Sequence, residues 1–82
     1  MVREVVRLET FLEAIKNIDK SVLDRLDKLI VKIIENPEIG KPMKYGRKGT
    51  KEVYVGSSRL SYSYNKEEDI IYFLDLYHKD EQ

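Results

Sequence analysis

Arg59 is the residue in this sequence whose type and position best suit phosphate chemistry. Residues 55–64 read VGSSRLSYSY, so polar and apolar side chains alternate after a Gly-Ser-Ser turn. Successive side chains of a β-strand point to opposite faces of the sheet. The polar set on one face is Arg59, Ser61 and Ser63, and the apolar set on the other is Leu60, Tyr62 and Tyr64. The alternation therefore predicts an arginine that projects from the polar face of a strand.

A run of basic residues comes just before this strand. Five cations fall within eleven residues that contain no acid: Lys41, Lys44, Arg47, Lys48 and Lys51. Tyr54 and Tyr77 lie on the strands that we expect to flank Arg59, and His78 follows the last of these strands. Single-stranded RNA is bound by cations that contact its phosphates and by rings that stack on its unpaired bases. The pattern is thus compatible with an RNA-binding surface.

Each of these residues also has a simpler interpretation. A lysine- and arginine-rich loop is most often a solvated loop. Arg59 could form a cross-strand ion pair with Glu52 or Asp75, a contact that contributes roughly 0.2–1 kcal/mol. The tyrosines could be core residues, and His78 could be an ordinary surface side chain. The residues alone leave both interpretations open.

Length and composition limit the classes of protein to consider. The chain has 82 residues, which suits one domain spanning residues 1–82. Fifteen basic and fifteen acidic residues cancel, and there is no cysteine and one histidine. We therefore expect no disulfide, no metal site and no cofactor. The longest apolar runs are too short to span a membrane, and the N-terminus is charged. A soluble, cytoplasmic protein is expected.

Hydrophobic periodicity predicts two helices after an edge strand at residues 2–8. Thr10 and Glu13 have the spacing of a capping box, which would begin a short helix running to residue 18. Asp19 or Ser21 can cap a second helix, whose apolar residues recur every three or four positions. Pro37 should end that helix at Asn36. Because the connection is so short, the two helices are expected to form an antiparallel hairpin.

The second half of the chain reads as three strands, at residues 51–55, 59–64 and 69–77. The last strand is apolar on both faces for much of its length, which favours an interior position. Asp75 and Tyr77 should share one of its faces, and the other set is Leu74, Leu76 and His78. The predicted fold is α+β, with an N-terminal helical hairpin packed on a small, twisted antiparallel sheet. Because both helices are used on one face, the face that carries Arg59 should be open.

The order and spacing of several short motifs resemble those of the RelE/ParE toxin superfamily. The resemblance rests on GKPMK at residues 40–44, EVYV at 52–55, RLSY at 59–62 and YFLDLYHKDE at 72–81. The helices ending in ENP at residues 35–37 fit the front half of the family. The likeness thus spans nearly the whole chain and is strongest in the RelE-like branch.

This resemblance implies a toxin of a type II toxin–antitoxin system that cuts messenger RNA on the ribosome without a metal. Arg59 matches the family arginine at the scissile phosphate, and Lys79 matches a second basic residue, with His78 adjacent as a possible acid or base. Basic residues that grip RNA in the family are matched by Lys44, Arg47, Lys48 and Lys51. A cognate antitoxin peptide is the implied partner, in a toxin–antitoxin hetero-oligomer.

Two other functions share this fold and stay open. A ParE-like protein would poison DNA gyrase and would need no arginine at a phosphate. A former toxin could instead act only as an antitoxin-binding module. The neutral net charge and the presence of Glu52 and Tyr54, where the family strand often carries a basic residue, are departures from the RelE pattern.

Overall fold

The computed structural model describes residues 2–42 and 49–78. It contains two helices and five strands, whose order along the chain is β1 (Glu4–Arg7), α1 (Glu9–Ile15), α2 (Lys20–Glu35), β2 (Lys41–Pro42), β3 (Thr50–Val55), β4 (Ser58–Asn65) and β5 (Ile70–His78). None of the helices among these residues has the length and apolar character that crossing a membrane requires.

The strands form one sheet in the order β1-β5-β4-β3-β2. Strands β2 to β5 pair antiparallel in succession. β1 lies at the edge, as predicted, but it runs parallel to β5. The sheet is therefore mixed, and the prediction of a purely antiparallel sheet was wrong for this strand. Parallel neighbours need a long crossover connection. Here the connection is the whole segment from residue 8 to residue 69.

The helices cover one face of the sheet and close a single core. α1 packs on β5, and α2 packs on β3. Phe11 of α1 stacks on Phe73 of β5, with ring centroids 5.5 Å apart. α2 adds its buried stripe of Leu26, Ile30 and Ile33. The α+β fold with helices on one side is confirmed, whereas direct packing of the two helices on each other stays a prediction.

The helix ends agree only in part with the sequence signals. α1 begins at Glu9 with Leu8 at its N-cap position, so the predicted capping box at Thr10 was wrong. Asp19 is the N-cap residue of α2, although its side chain makes no capping hydrogen bond. α2 ends at Glu35 with Asn36 at the C-cap, as Pro37 predicted.

A β-bulge in β5 changes which of its side chains reach the core. Ser61 pairs with Asp75 and Tyr62 pairs with Phe73, which leaves Leu74 as the extra residue. Because a bulge interrupts strict alternation, Phe73 and Leu76 both lie in the core although they are three residues apart. Leu74 is only partly buried, so the predicted grouping of Leu74 with Leu76 was wrong. The Thr10 hydroxyl donates to the Leu74 carbonyl at 2.7 Å, which ties α1 to the bulge.

Candidate phosphate-binding site on the sheet face opposite the helices

Three side chains form a row across the face of the sheet opposite the helices. Arg59 of β4 lies directly opposite Tyr54 of β3 on one side and Tyr77 of β5 on the other. Residues directly opposite each other in antiparallel strands share a face. Leu60 and Tyr62, at alternate positions after Arg59, are fully buried in the core on the helix side. The predicted alternation of β4 is thus confirmed, but the Arg59 face is only partly open, since Ser61 is 3% exposed and the Arg59 side chain 23%.

The guanidinium of Arg59 is positioned by an aromatic ring and a carboxylate. Its central carbon lies 5.2 Å from the ring centroid of Tyr54, a distance that permits a cation–π interaction. Its Nη1 atom lies 3.7 Å from Oε2 of Glu52 on β3. This separation allows an ion pair but is too long for a hydrogen bond. The cross-strand pairing of Arg59 with Glu52 that the sequence left open is therefore present.

This pairing does not use the hydrogen-bonding capacity of either group. The two side chains are only 23% and 16% exposed. Nevertheless, Arg59 Nε and Glu52 Oε2 are buried and have no hydrogen-bond partner among the described residues. Asp75, the other carboxylate considered, accepts a hydrogen bond from the Leu76 amide at 2.8 Å. A guanidinium carries five donors that match phosphate oxygens in pairs, so Arg59 keeps donors for an anion.

Two residues that the sequence grouped with Arg59 lie on the other side of the sheet. Lys51 pairs with Tyr62, which is fully buried in the core, so its side chain leaves β3 on the helix face. His78 follows Leu76 by two residues and pairs with Ser58. It lines an open groove of about 710 Å³ together with Asn17 and Asp19 at the junction of the helices. The register therefore places both side chains on the helix side of the sheet, although Tyr77 of the Arg59 row also lines this groove.

The remaining predicted site residues lie outside the described part of the chain. They are Lys44, Arg47, Lys48 and Lys79. Their proposed roles in RNA binding and catalysis stay predictions. Within the described residues, no three His, Asp or Glu side chains converge in a way that could hold a metal ion.

Tyr62 holds the segment that leads toward the basic run, a role that the sequence did not reveal. Its hydroxyl donates to the Pro37 carbonyl and accepts from the Gly40 amide, both at 2.9 Å. Burial raises the pKa of this phenol, with a smaller effect of the Glu38 charge in the same direction and an opposing effect of the Gly40 hydrogen bond. Because residues 37–40 are irregular, no periodicity in the sequence could have indicated these contacts.

Comparison with known proteins identifies the family. Residues 6–82 match the family model described as the ParE toxin of the type II toxin–antitoxin system parDE. Since the match covers nearly the whole chain, the chain belongs to this family, within the RelE/ParE toxin superfamily. It is thus a toxin of the type II toxin–antitoxin class. No curated protein sequence matches the chain.

Solved toxins share the fold at low sequence identity. The toxin–antitoxin complex RelBE2 from Mycobacterium tuberculosis contains a chain that is 20% identical, with a TM-score of 0.83 over 96% of this chain and 100% of that one. The archaeal RelE–RelB complex from Pyrococcus horikoshii gives 19% identity and a TM-score of 0.77, with both chains fully covered. YafQ from E. coli gives 17% identity and a TM-score of 0.79, with 96% of each chain covered.

Proposed function

We propose that this toxin is a metal-independent endoribonuclease that cuts messenger RNA on the ribosome. The observation that carries the proposal is the position of Arg59, whose partly exposed side chain lies between Tyr54 and Tyr77 on the face of the sheet opposite the helices. A positive donor group flanked by rings can bind a phosphate while the neighbouring bases stack. The resemblance of the 59–62 strand to RelE-like toxins supports the same assignment.

The proposed reaction is a transfer of phosphorus from one oxygen of the RNA to another. The ribose 2′-oxygen attacks the adjacent phosphorus and loses its proton, while the bond from phosphorus to the 5′-oxygen breaks and that oxygen gains a proton. A cyclic 2′,3′-phosphate and a 5′-hydroxyl result. Negative charge grows on the non-bridging oxygens, and donors already in place stabilise it. Arg59 supplies this stabilisation, and Lys79 is the proposed second cation.

The candidate acid or base lies on the opposite side of the sheet from Arg59. His78 is the titratable candidate from the sequence, but it lines the groove on the helix side of the sheet. His78 is the last residue of β5, so its side chain reaches the Arg59 face only by passing around the end of the sheet. We therefore assign Arg59 to charge stabilisation, and we keep His78 as a candidate acid or base that the His78→Ala variant will test.

We propose a cognate antitoxin as the protein partner, in a toxin–antitoxin hetero-oligomer. The two-residue strand β2 pairs only with Glu52 and Lys51, so the rest of the β3 edge has no strand beside it in the described part of the chain. Open strand edges are commonly covered by an added strand from a partner. The similar solved chains from M. tuberculosis and P. horikoshii are parts of such complexes. The proposed target places the protein in the cytoplasm.

Inhibition of DNA gyrase is the second candidate function, because the matching family model is that of the ParE toxin. This function would not require a phosphate-binding arginine. The Glu52–Arg59 ion pair, which offsets part of the positive charge, is compatible with it. Supercoiling by purified gyrase in the presence of the toxin distinguishes the two functions.

Expression of the wild type, Arg59→Ala and Arg7→Ala in a sensitive bacterial host tests the proposal. Arg7 is the matched control because it is an exposed arginine on a strand of the same sheet. We expect the wild type and Arg7→Ala to stop growth and fragment messenger RNA, and Arg59→Ala to do neither. Growth arrest with intact messenger RNA and DNA damage would instead favour the gyrase function.

A further inference from the structure

A second cationic surface lies on α2, outside the site already described. Arg25, Lys28 and Lys32 are separated by three and four positions and therefore share one face of the helix. All three are exposed. The ion pairs among the described residues join Lys16 to Glu13 and Arg59 to Glu52, so none of the three is neutralised by a carboxylate within that part of the chain. We call these three residues the α2 stripe.

Acidic residues of α2 border the stripe but are not among the described residues that line its groove. Asp24 lies four positions before Lys28, and Glu35 lies three positions after Lys32, so both acids are neighbours of the stripe on the helix surface. Oppositely charged residues four apart, such as Asp24 and Lys28, often pair on helix surfaces. Here the acids lie outside the groove that the stripe lines. The cations are therefore the charged residues of the groove itself, and the acids lie at its border.

The stripe and Tyr54 line the same groove at the edge of β3. This groove has a volume of about 230 Å³ and also includes Leu29, Val55 and Gly56. None of the described residues that line it is acidic. It is smaller than the roughly 300–1,000 Å³ that enclose a small-molecule ligand, so it suits an extended chain lying along a surface. Tyr54 is 55% exposed and also lies beside the Arg59 guanidinium.

We propose that the α2 stripe binds the phosphate backbone of single-stranded RNA that continues past Tyr54 from the Arg59 site. The inference rests on the proposed RNA-cutting function and extends its binding site around the β3 edge. Tyr54 joins the two surfaces because it lies beside Arg59 on one side and lines the groove with the stripe on the other. Its ring can stack on a base between the two sets of phosphates.

Binding of fluorescein-labelled 2′-O-methyl RNA of twelve nucleotides, followed by anisotropy at several salt concentrations, tests this inference. The 2′-O-methyl group removes the attacking hydroxyl, so binding is measured without cleavage. The test variant is Arg25→Gln/Lys28→Gln/Lys32→Gln, since glutamine, lysine and arginine have similar helix propensities. The control variant is Arg3→Gln/Arg7→Gln/Lys66→Gln, which removes the same charge from exposed positions elsewhere.

The stripe variant is expected to bind about tenfold more weakly or worse than the wild type at low salt. Its salt dependence should also be shallower, because each lost phosphate contact removes about 0.7 from the slope of log affinity against log salt for single strands. The control should keep the wild-type slope. Circular dichroism confirms that both variants are folded.

A stripe variant that binds like the control overturns the proposal, as does a wild type that binds no RNA. Tighter binding of a twelve-residue polyglutamate than of RNA, lost in the stripe variant, overturns it in favour of an acidic protein partner. The proposed function fails separately if the wild type binds RNA through the stripe but cuts none on the ribosome. Conversely, cleavage that depends on Arg59 with no effect of the stripe on binding refutes only the present inference.

Discussion

Glu52 affects both the orientation of Arg59 and the positive charge that Arg59 presents to an anion. Its carboxylate lies 3.7 Å from the guanidinium, and both side chains are largely buried. An anion in this position orients the arginine, but it also offsets the charge that a phosphate would meet. The unpartnered Oε2 and Nε atoms indicate that the pair is not optimised as a structural contact. Glu52 is therefore expected to lower RNA affinity in the free toxin.

The Glu52→Gln variant tests this effect at nearly unchanged side-chain volume. Removal of the counter-charge should raise the affinity for single-stranded RNA by up to about fivefold, which corresponds to an ion-pair free energy of 0.2–1 kcal/mol. The effect should vanish when Arg59 is already alanine, because the two residues then no longer interact. If Glu52→Gln alone, with Arg59 intact, binds RNA more weakly than the wild type, the carboxylate supports the site instead.

Tyr62 combines core packing with two hydrogen bonds to the 37–40 segment. The Tyr62→Phe variant keeps the ring but leaves the Gly40 amide and the Pro37 carbonyl without the phenol. An unsatisfied buried group costs about 1–3 kcal/mol, so we expect the free energy of unfolding in urea to fall by that amount. Tyr54→Phe is the control, because its ring is 55% exposed and little change is expected. Equal stabilities of the two variants would contradict the anchoring role.

The raised pKa of Tyr62 predicts a stability loss at alkaline pH. Burial makes the folded state hold this proton more tightly than the unfolded state does. The stabilising contribution is therefore fully present below the unfolded pKa of about 10 and is lost as pH rises through the higher folded pKa. Urea unfolding above pH 10 should show a steeper loss in the wild type than in Tyr62→Phe. Parallel pH profiles would contradict the assignment.

At the scale of the elements, Gly40 sits where no larger residue fits. A Cβ atom there would lie 2.6 Å from the Tyr62 hydroxyl and 2.9 Å from Cβ of Lys51. Such contacts are too close to persist without movement of the backbone or of a buried ring. Gly40→Ala should lower the free energy of unfolding by about 1–3 kcal/mol, as overpacking does. Wild-type stability, measured by urea unfolding, would show that the 37–40 segment moves aside freely.

The elements also show how far the sequence could predict the site. The alternation of residues 59–64 predicted the face of Arg59, and the periodicity and Pro37 predicted the end of α2. The bulge at Leu74 had no local signal, because an extra residue is defined only by its partner strand. Likewise, the parallel pairing of β1 depends on contacts between residues over 60 positions apart. Lys51 was misplaced because closeness in sequence was weighted above alternation along β3.

At the scale of the whole molecule, the net charge of zero does not describe the groove beside Tyr54, whose charged described residues are cations. Fifteen basic and fifteen acidic residues give no net charge, yet the α2 stripe and Arg59 meet at Tyr54 along one edge of the sheet. Local fields of this kind act on a bound or nearby polyanion, and they are screened within about 8–10 Å at physiological salt. RNA binding by this toxin should therefore depend on these few cations more than on its overall charge.

Cleavage of messenger RNA on purified, stalled ribosome complexes tests the central claim most directly. The wild type is expected to cut the message in the decoding site, and Arg59→Ala is expected to cut about 10²–10³-fold more slowly, the usual cost of removing one transition-state donor. Arg7→Ala should cut at the wild-type rate. Equal rates for the wild type and Arg59→Ala, or no cleavage together with inhibition of gyrase supercoiling, would contradict the account.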